Sequence, residues 1–155
     1  AYMLSHWGNV TLKAEVDHAQ LEPFTLGLAR RFKNNVLQTP GSIRKLTRVG
    51  REAEKQLEHY DVMMTPVVSH KTPQIGHFSP LLSYEDITQR ALEYASYAGL
   101  QNVTGSPAIS LPMGIADDGM PIGVQFIAPH GMDKRLIELA YELEEARPWR
   151  MLYEN

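Results

Sequence analysis

The pattern of apolar and polar residues is clearest in the last third of the chain, where it predicts a β-hairpin. Ala108 to Leu111 form a short apolar run, and Ile122 to Ala128 are almost continuously apolar. Between the two runs, Asp117-Asp118-Gly119 is a strong turn signal, because Asp tolerates left-handed backbone angles and Gly adopts them without steric cost. A continuously apolar strand is typical of a strand covered on both faces, as in the middle of an α/β sheet.

The segment Thr104 to Pro107, directly before the hairpin, is predicted to be a loop that shapes the entry to the first strand. Gly105 can adopt backbone angles closed to other residues, and the ring of Pro107 fixes its own φ angle. Ser106 lies between them. We therefore expect the chain to enter the strand along one set path.

Apolar residues spaced three and four apart predict helices in the rest of the chain. Residues 1 to 38 are predicted to be helical with interruptions, and Thr39-Pro40-Gly41 is a predicted break. The later elements are predicted as a helix from Ser42 to about Tyr60, a strand over residues 62–68, a helix from a Ser83 and Asp86 capping box to Gly99, and a helix from Asp133 to Pro148. This order predicts one α/β unit over residues 1–155.

The loop predicted over residues 70–80 contains two of the histidines, His70 and His77, seven positions apart. A metal site would need further carboxylate or imidazole ligands at suitable spacing, and the chain has no HExxH or comparable pattern. We interpret both as loop histidines and predict no metal and no cofactor.

Composition narrows the function classes. A hydrophobic content of 43% is enough for one core, and a net charge of −3 with both signs spread along the chain gives no basic surface for nucleic acid. No stretch approaches the roughly 20 apolar residues of a membrane helix, so we predict no membrane partner. The absence of cysteine excludes disulfides and thiolate catalysis and fits a reducing compartment, so a cytoplasmic location is predicted.

Candidate hydrolytic residues are few. Ser106 or Ser110 could be combined with His130 and Asp133 into a serine–histidine–acid set, but neither serine lies in a GxSxG turn that would expose its hydroxyl. Turn and cap residues are the plainer interpretation. An independent hydrolase built on these residues stays an alternative.

Four segments match one known family in order and at compatible spacing. They are YDVMMTP (Tyr60 to Pro66), NVTGSPAISLP (Asn102 to Pro112), GMPIGVQF (Gly119 to Phe126) and LEEARPW (Leu143 to Trp149). Together they resemble the C-terminal end of the amidase signature family. The resemblance implies the C-terminal portion of that family's α/β/α fold, with a mixed sheet flanked by helices.

The resemblance also implies an activity for a larger protein. Amidase signature enzymes are hydrolases that use a serine nucleophile, a second serine held by a cis peptide bond, and a lysine, all in a Gly/Ser-rich stretch of the N-terminal half. This chain has no such stretch. The resemblance therefore assigns no catalytic residue here and implies that these residues lie upstream. The parent would cleave the C–N bond of a carboxamide or a linear or cyclic amide, and this chain alone would be inactive.

The substrate-pocket candidates follow from the same resemblance. The C-terminal part of such enzymes supplies part of the acyl-substrate pocket, and the matching positions are Thr104, Gly105, Ser106 and Pro107. In the branch that hydrolyses glutamine for tRNA amidation, an Asp recognises the substrate's amino group, and the corresponding position here is Ala95. This departure favours a less polar amide.

Two further alternatives remain open: a noncatalytic interaction domain that keeps the amidase scaffold, and the amidase component of a glutamine-dependent tRNA amidotransferase. The predicted strands normally lie within a larger sheet, so an isolated piece would leave edges and apolar faces uncovered. We therefore expect the partner of this chain to be the N-terminal portion of the same enzyme, or a second copy.

Overall fold

The computed structural model describes residues 17–149, and these residues form two compact units. The first contains residues 17–46 and 73–94, and the second contains residues 47–72 and 95–149. The helical prediction for residues 1–16 lies outside the described residues. A single α/β unit over residues 1–155 stays a prediction.

Five α-helices and three strands make up the described part of the chain, with short 3-10 helices at His18–Gln20 and Val36–Gln38. In chain order they are α1 (Pro23–Asn34), α2 (Thr39–Leu57), β1 (Met63–Pro66), α3 (Tyr84–Tyr94), α4 (Gly99–Thr104), β2 (Ala108–Ile115), β3 (Pro121–Ile127) and α5 (Asp133–Ala146). Residues 67–83 contain no helix or strand, as the loop prediction for residues 70–80 requires.

In the first unit, helices α1 and α3 pack against each other. Leu28 and Ala29 on α1 and Ile87 on α3 are buried. The rings of Phe24 and Tyr84 stack with centroids 5.8 Å apart. Helix α1 approaches Tyr84 so closely that a methyl group on Gly27 would overlap Cβ of Tyr84 and lie 2.8 Å from its Cδ2.

Helix α3 begins with the predicted capping interaction. The Ser83 hydroxyl oxygen accepts a hydrogen bond from the backbone N–H of Asp86 (3.0 Å) and donates its hydrogen to the Asp86 carboxylate (2.6 Å). One amide hydrogen of the first turn is satisfied in this way. The carboxylate contacts the serine hydroxyl, whereas a standard capping box directs it to the backbone of the cap residue.

Removal of the Ser83 hydroxyl should destabilise the chain. We expect Ser83→Ala to lower the free energy of unfolding by about 1 kcal/mol, the usual value of a serine N-cap. Urea denaturation of the two proteins measures the difference. Ser83→Thr keeps the hydroxyl and serves as the matched control, with a change of only a few tenths of a kcal/mol. Equal losses in both variants would contradict the capping role.

In the second unit, the three strands form an antiparallel sheet in the order β1-β3-β2. Consecutive residues from Gln125 to Ala128 are buried, so the second half of β3 is covered on both faces. Helix α5 packs on β2. The core of the unit consists of Leu111, Phe126, Ala128 and Leu136. The α/β class and the hairpin are thus confirmed.

The hairpin turn has the predicted chemistry. Gly119 has a positive φ of 80°, which a residue with a side chain rarely adopts, and its N–H donates to the Ala116 carbonyl (2.9 Å). Asp118 pairs with Lys71, whose Nζ lies 3.1 Å from Oδ2. This hydrogen bond, with a second one from the N–H of Met120, lowers the pKa of Asp118 below its ordinary value of 3.8.

Two predicted helix boundaries are wrong. Thr39-Pro40-Gly41 is the first turn of α2, because a proline there loses no hydrogen bond: the first N–H groups of a helix have no partner within it. Gly99 begins α4 and does not end α3, whose last residue is Tyr94. Tyr60, the predicted end of the second helix, lies beyond the last residue of α2, Leu57, and is 64% exposed.

No helix within residues 17–149 has the length and apolar character that a membrane span requires.

Candidate functional site

Thr104 to Pro107, the predicted pocket segment, lies between a helix end and a strand, within the second unit. Thr104 is the last residue of α4 and Gly105 is its C-cap, with a positive φ of 75°. The N–H of Gly105 donates to the Gln101 carbonyl (2.7 Å), which closes the last turn. The prediction that Thr104 lies in a loop is wrong, because the chain turns away from the helix only at Gly105.

Ser106 forms a hydrogen bond within this segment, and Pro107 forms one with the residue directly after β3. Ser106 is buried, and its N–H donates to the Thr104 hydroxyl (3.2 Å). The Pro107 carbonyl accepts a hydrogen bond from the N–H of Ala128 (3.1 Å). Within residues 17–149, the Ser106 hydroxyl has no hydrogen-bond partner, and neither does the buried side-chain oxygen of Gln101. Buried polar atoms are normally paired, and a third described exception is the Thr88 hydroxyl on α3.

His130, after β3, reaches back to the same segment. Its Nε2 atom lies 3.0 Å from the Thr104 carbonyl oxygen and 2.6 Å from Oε1 of Glu54 on α2. Its Cε1 atom would lie 3.4 Å from a methyl group placed on Gly105. The imidazole therefore connects the end of α4 with α2 and with the turn after β3.

The serine–histidine–acid combination is not assembled among the described residues. The Ser106 hydroxyl bonds to no group in the part of the chain that the structure describes, and the acid on His130 is Glu54. Asp133 is the first residue of α5, where its charge suits the positive end of the helix dipole. Ser110 is exposed and pairs with Gln125 in the sheet register. The described residues also contain no group of three His, Cys, Asp or Glu side chains that could hold a metal ion.

A cavity of about 390 Å³ lies in the same unit, between the segment after α2 and the turn before α5. Its lining includes His59, Tyr60 and Met132. Arg135 and Asp61, which also line it, form an ion pair (2.9 Å). The sequence indicated neither this cavity nor the role of Glu54, because both depend on residues far apart along the chain.

Comparison with known proteins identifies the family. The family model described as Amidase matches residues 1–137. AmiC of Mycobacterium leprae, provisionally named an amidase, is 41% identical over 149 residues, which are 96% of this chain and 32% of that protein. The 6-aminohexanoate-cyclic-dimer hydrolase of Paenarthrobacter ureafaciens is 39% identical over 97 residues, 58% of this chain and 20% of the relative.

Solved structures give the same result. A 6-aminohexanoate cyclic dimer hydrolase complexed with substrate superposes with a TM-score of 0.78 at 25% identity, covering 96% of this chain and 35% of that one. A component of the glutamyl-tRNA(Gln) amidotransferase of Thermotoga maritima shares the fold, with a TM-score of 0.58 at 19% identity over 92% of this chain and 30% of that one. The chain spans about a third of the length of the curated relatives that it matches along nearly all of its own length. It belongs to the amidase family.

Proposed function

We propose that this chain is the C-terminal portion of an amidase signature hydrolase that cleaves the C–N bond of a carboxamide or of a linear or cyclic amide. One observation carries the proposal: the chain matches amidases along 96% of its own length but spans only 32% of the first of them. It also lacks an assembled nucleophile and base among the described residues. The serine, cis-serine and lysine of the family mechanism would therefore come from polypeptide upstream.

The contribution of this chain to the active site would be a wall of the substrate pocket, formed by Thr104, Gly105, Ser106 and Pro107. Support comes from the unpaired hydroxyl of Ser106 and from the positive φ of Gly105, which turns the backbone sharply at this point. A hydroxyl can donate to an amide oxygen or accept from an amide N–H. The segment thus offers the hydrogen-bonding group that an amide substrate requires.

Similarity to the cyclic dimer hydrolases favours a cyclic or linear amide of low polarity as the substrate. Ala95 stands where the glutamine-hydrolysing branch has its recognition Asp, and this counts against a role in a tRNA amidotransferase. A noncatalytic domain with the same scaffold is the second candidate. The cytoplasmic location stays a prediction.

The proposed partner is the rest of the same enzyme, with self-association as the alternative. Within the described residues, β1 and β2 each pair on one side only, which leaves two sheet edges open to a further strand. Large apolar side chains are exposed on the second unit, among them Met64 (67%) and Tyr141 (68%). Further polypeptide of the same protein would cover such surfaces.

Activity of the longer protein tests the proposal. The reading frame that contains this chain should continue upstream into a Gly/Ser-rich segment with a lysine, and the whole product should hydrolyse benzamide or 6-aminohexanoate cyclic dimer. Release of ammonia or of the free amino group is measured. Replacement of the upstream lysine by alanine should abolish turnover. A native start codon close to Ala1 would instead favour the noncatalytic domain.

A further inference from the structure

The contact of His130 with Thr104 and Glu54 is not explained by the family's catalytic residues. Nε2 of His130 faces two oxygens, the Thr104 carbonyl at 3.0 Å and the Glu54 carboxylate at 2.6 Å. Both oxygens act as acceptors, so Nε2 must carry the hydrogen and donate it. The contact therefore requires the ring form with a hydrogen on Nε2.

The imidazole acts at the point where α4 ends. Carbonyl groups in the last turn of a helix lack partners within the helix, and His130 supplies one to Thr104. The next residue, Gly105, adopts the left-handed conformation that redirects the chain. A contact that fixes the Thr104 carbonyl therefore also fixes the orientation of the peptide group between Thr104 and Gly105.

Glu54 contacts the same ring nitrogen, Nε2, that faces the Thr104 carbonyl. It lies on α2, so the carboxylate is attached to a regular element while the histidine lies in the short connection before α5. Because the Glu54 and His130 side chains are only half-buried, at 38% and 50% exposed, the pair is expected to orient the ring and to add little to overall stability.

The group that this arrangement directs is Ser106, two residues after Thr104. Ser106 is only 6% exposed, and its hydroxyl has no partner among the described residues. The same holds there for the buried Gln101 oxygen on the preceding turn of α4. A buried polar atom without a partner costs free energy until a ligand or water satisfies it.

We propose that His130 and Glu54 are positioning residues of the substrate pocket: by holding the Thr104 carbonyl they set the backbone at Gly105 and direct the Ser106 hydroxyl to the amide group of the substrate. This inference rests on the proposed function. Neither residue touches the substrate, and both act through the backbone of the segment from Thr104 to Pro107.

The first test uses the 155-residue chain and nuclear magnetic resonance. Long-range proton–nitrogen correlations of the histidine rings, with His130→Gln to identify the signals, should show hydrogen on Nε2 of His130. Amide exchange at Ser106 should be about fivefold faster in His130→Phe and about threefold faster in Glu54→Ala, as expected for loss of one or two hydrogen bonds. Glu54→Gln keeps an acceptor oxygen and should restore most of the protection.

The matched control is Glu138→Gln on α5, which removes an exposed pair with Lys134 (3.3 Å) away from this segment and should leave exchange at Ser106 unchanged. Two results would overturn the proposal. One is a His130 ring with hydrogen on Nδ1 only. The other is an exchange rate at Ser106 in His130→Phe that equals the rate in the unaltered chain.

The second test uses the longer enzyme with benzamide as the probe. Glu54→Ala should raise KM about fivefold with kcat nearly unchanged, because a loosened pocket wall weakens binding more than chemistry, and Glu54→Gln should lie closer to the unaltered enzyme. An unchanged KM in Glu54→Ala would refute the positioning role. If the unaltered enzyme hydrolyses no amide, the proposed function fails, and the resonance measurements alone decide whether His130 orders the segment.

Discussion

A polypeptide of residues 1–155 alone is expected to hydrolyse benzamide and 6-aminohexanoate cyclic dimer no faster than buffer does. Enzymes accelerate such reactions by about 10⁶-fold or more, and most of that depends on a nucleophile activated by a base. His130, which contacts the proposed pocket segment, directs Nε2–H to two oxygens, so this nitrogen has no free electron pair to accept a proton from Ser106. Turnover is measured as ammonia or amine release, with circular dichroism to establish that the chain is folded.

Serine variants in the longer enzyme provide the control for this result. Ser110→Ala should leave kcat within about twofold, because Ser110 is an exposed strand residue outside the proposed pocket segment of Thr104 to Pro107. Ser106→Ala should raise KM and preserve most of kcat. Turnover by the 155-residue chain that disappears in Ser106→Ala or Ser110→Ala would contradict the account and restore the independent hydrolase.

Gly27→Ala is expected to destabilise the first unit by about 2 kcal/mol. Overpacking of a close contact costs about 1–3 kcal/mol, and the new methyl group would overlap Cβ of Tyr84, which cannot move unless the helices separate. The better helix propensity of alanine offsets about 1 kcal/mol of this cost. The steric term should be near the top of its range because the overlap involves two Cβ atoms and not a flexible side-chain end. Urea denaturation of the 155-residue chain measures the change.

Gly41→Ala is the matched control for this prediction. Gly41 lies in the part of α2 that belongs to the first unit, but a methyl group there would have no atom within 4 Å. Only the propensity gain of about 0.5–1 kcal/mol remains, so this variant should be more stable. Equal stabilisation of both glycine variants would show that α1 does not approach Tyr84 as closely as described.

The hairpin and the fold class could be predicted because their signals are local. The turn at Gly119 depends on three adjacent residues, and the burial of β3 follows from its continuous apolar run. Proline in a strand indicates an edge or terminal position, and Pro66 is the last residue of the edge strand β1. Family resemblance gave the amidase assignment, which the comparisons confirm.

The site was predictable only in part, because its contacts join distant segments. Resemblance indicated Thr104 to Pro107, but nothing in the pattern paired His130 with Glu54, which lies on a different helix. His130 and Asp133 are close in sequence and were the natural pair to consider. In the structure, Asp133 is the first residue of α5, and the acid that contacts His130 is Glu54. The break predicted at Thr39 is wrong because proline is tolerated in the first turn of a helix, and Gly99 is the first residue of α4.

The central claim is that the reactive serine belongs to polypeptide outside this chain. Treatment of the longer enzyme with a fluorophosphonate, which forms a covalent bond with an activated serine, followed by peptide mass spectrometry, locates that serine directly. The account predicts a single labelled serine upstream of Ala1 and no label on Ser106 or Ser110. A label on either of these two residues would contradict it.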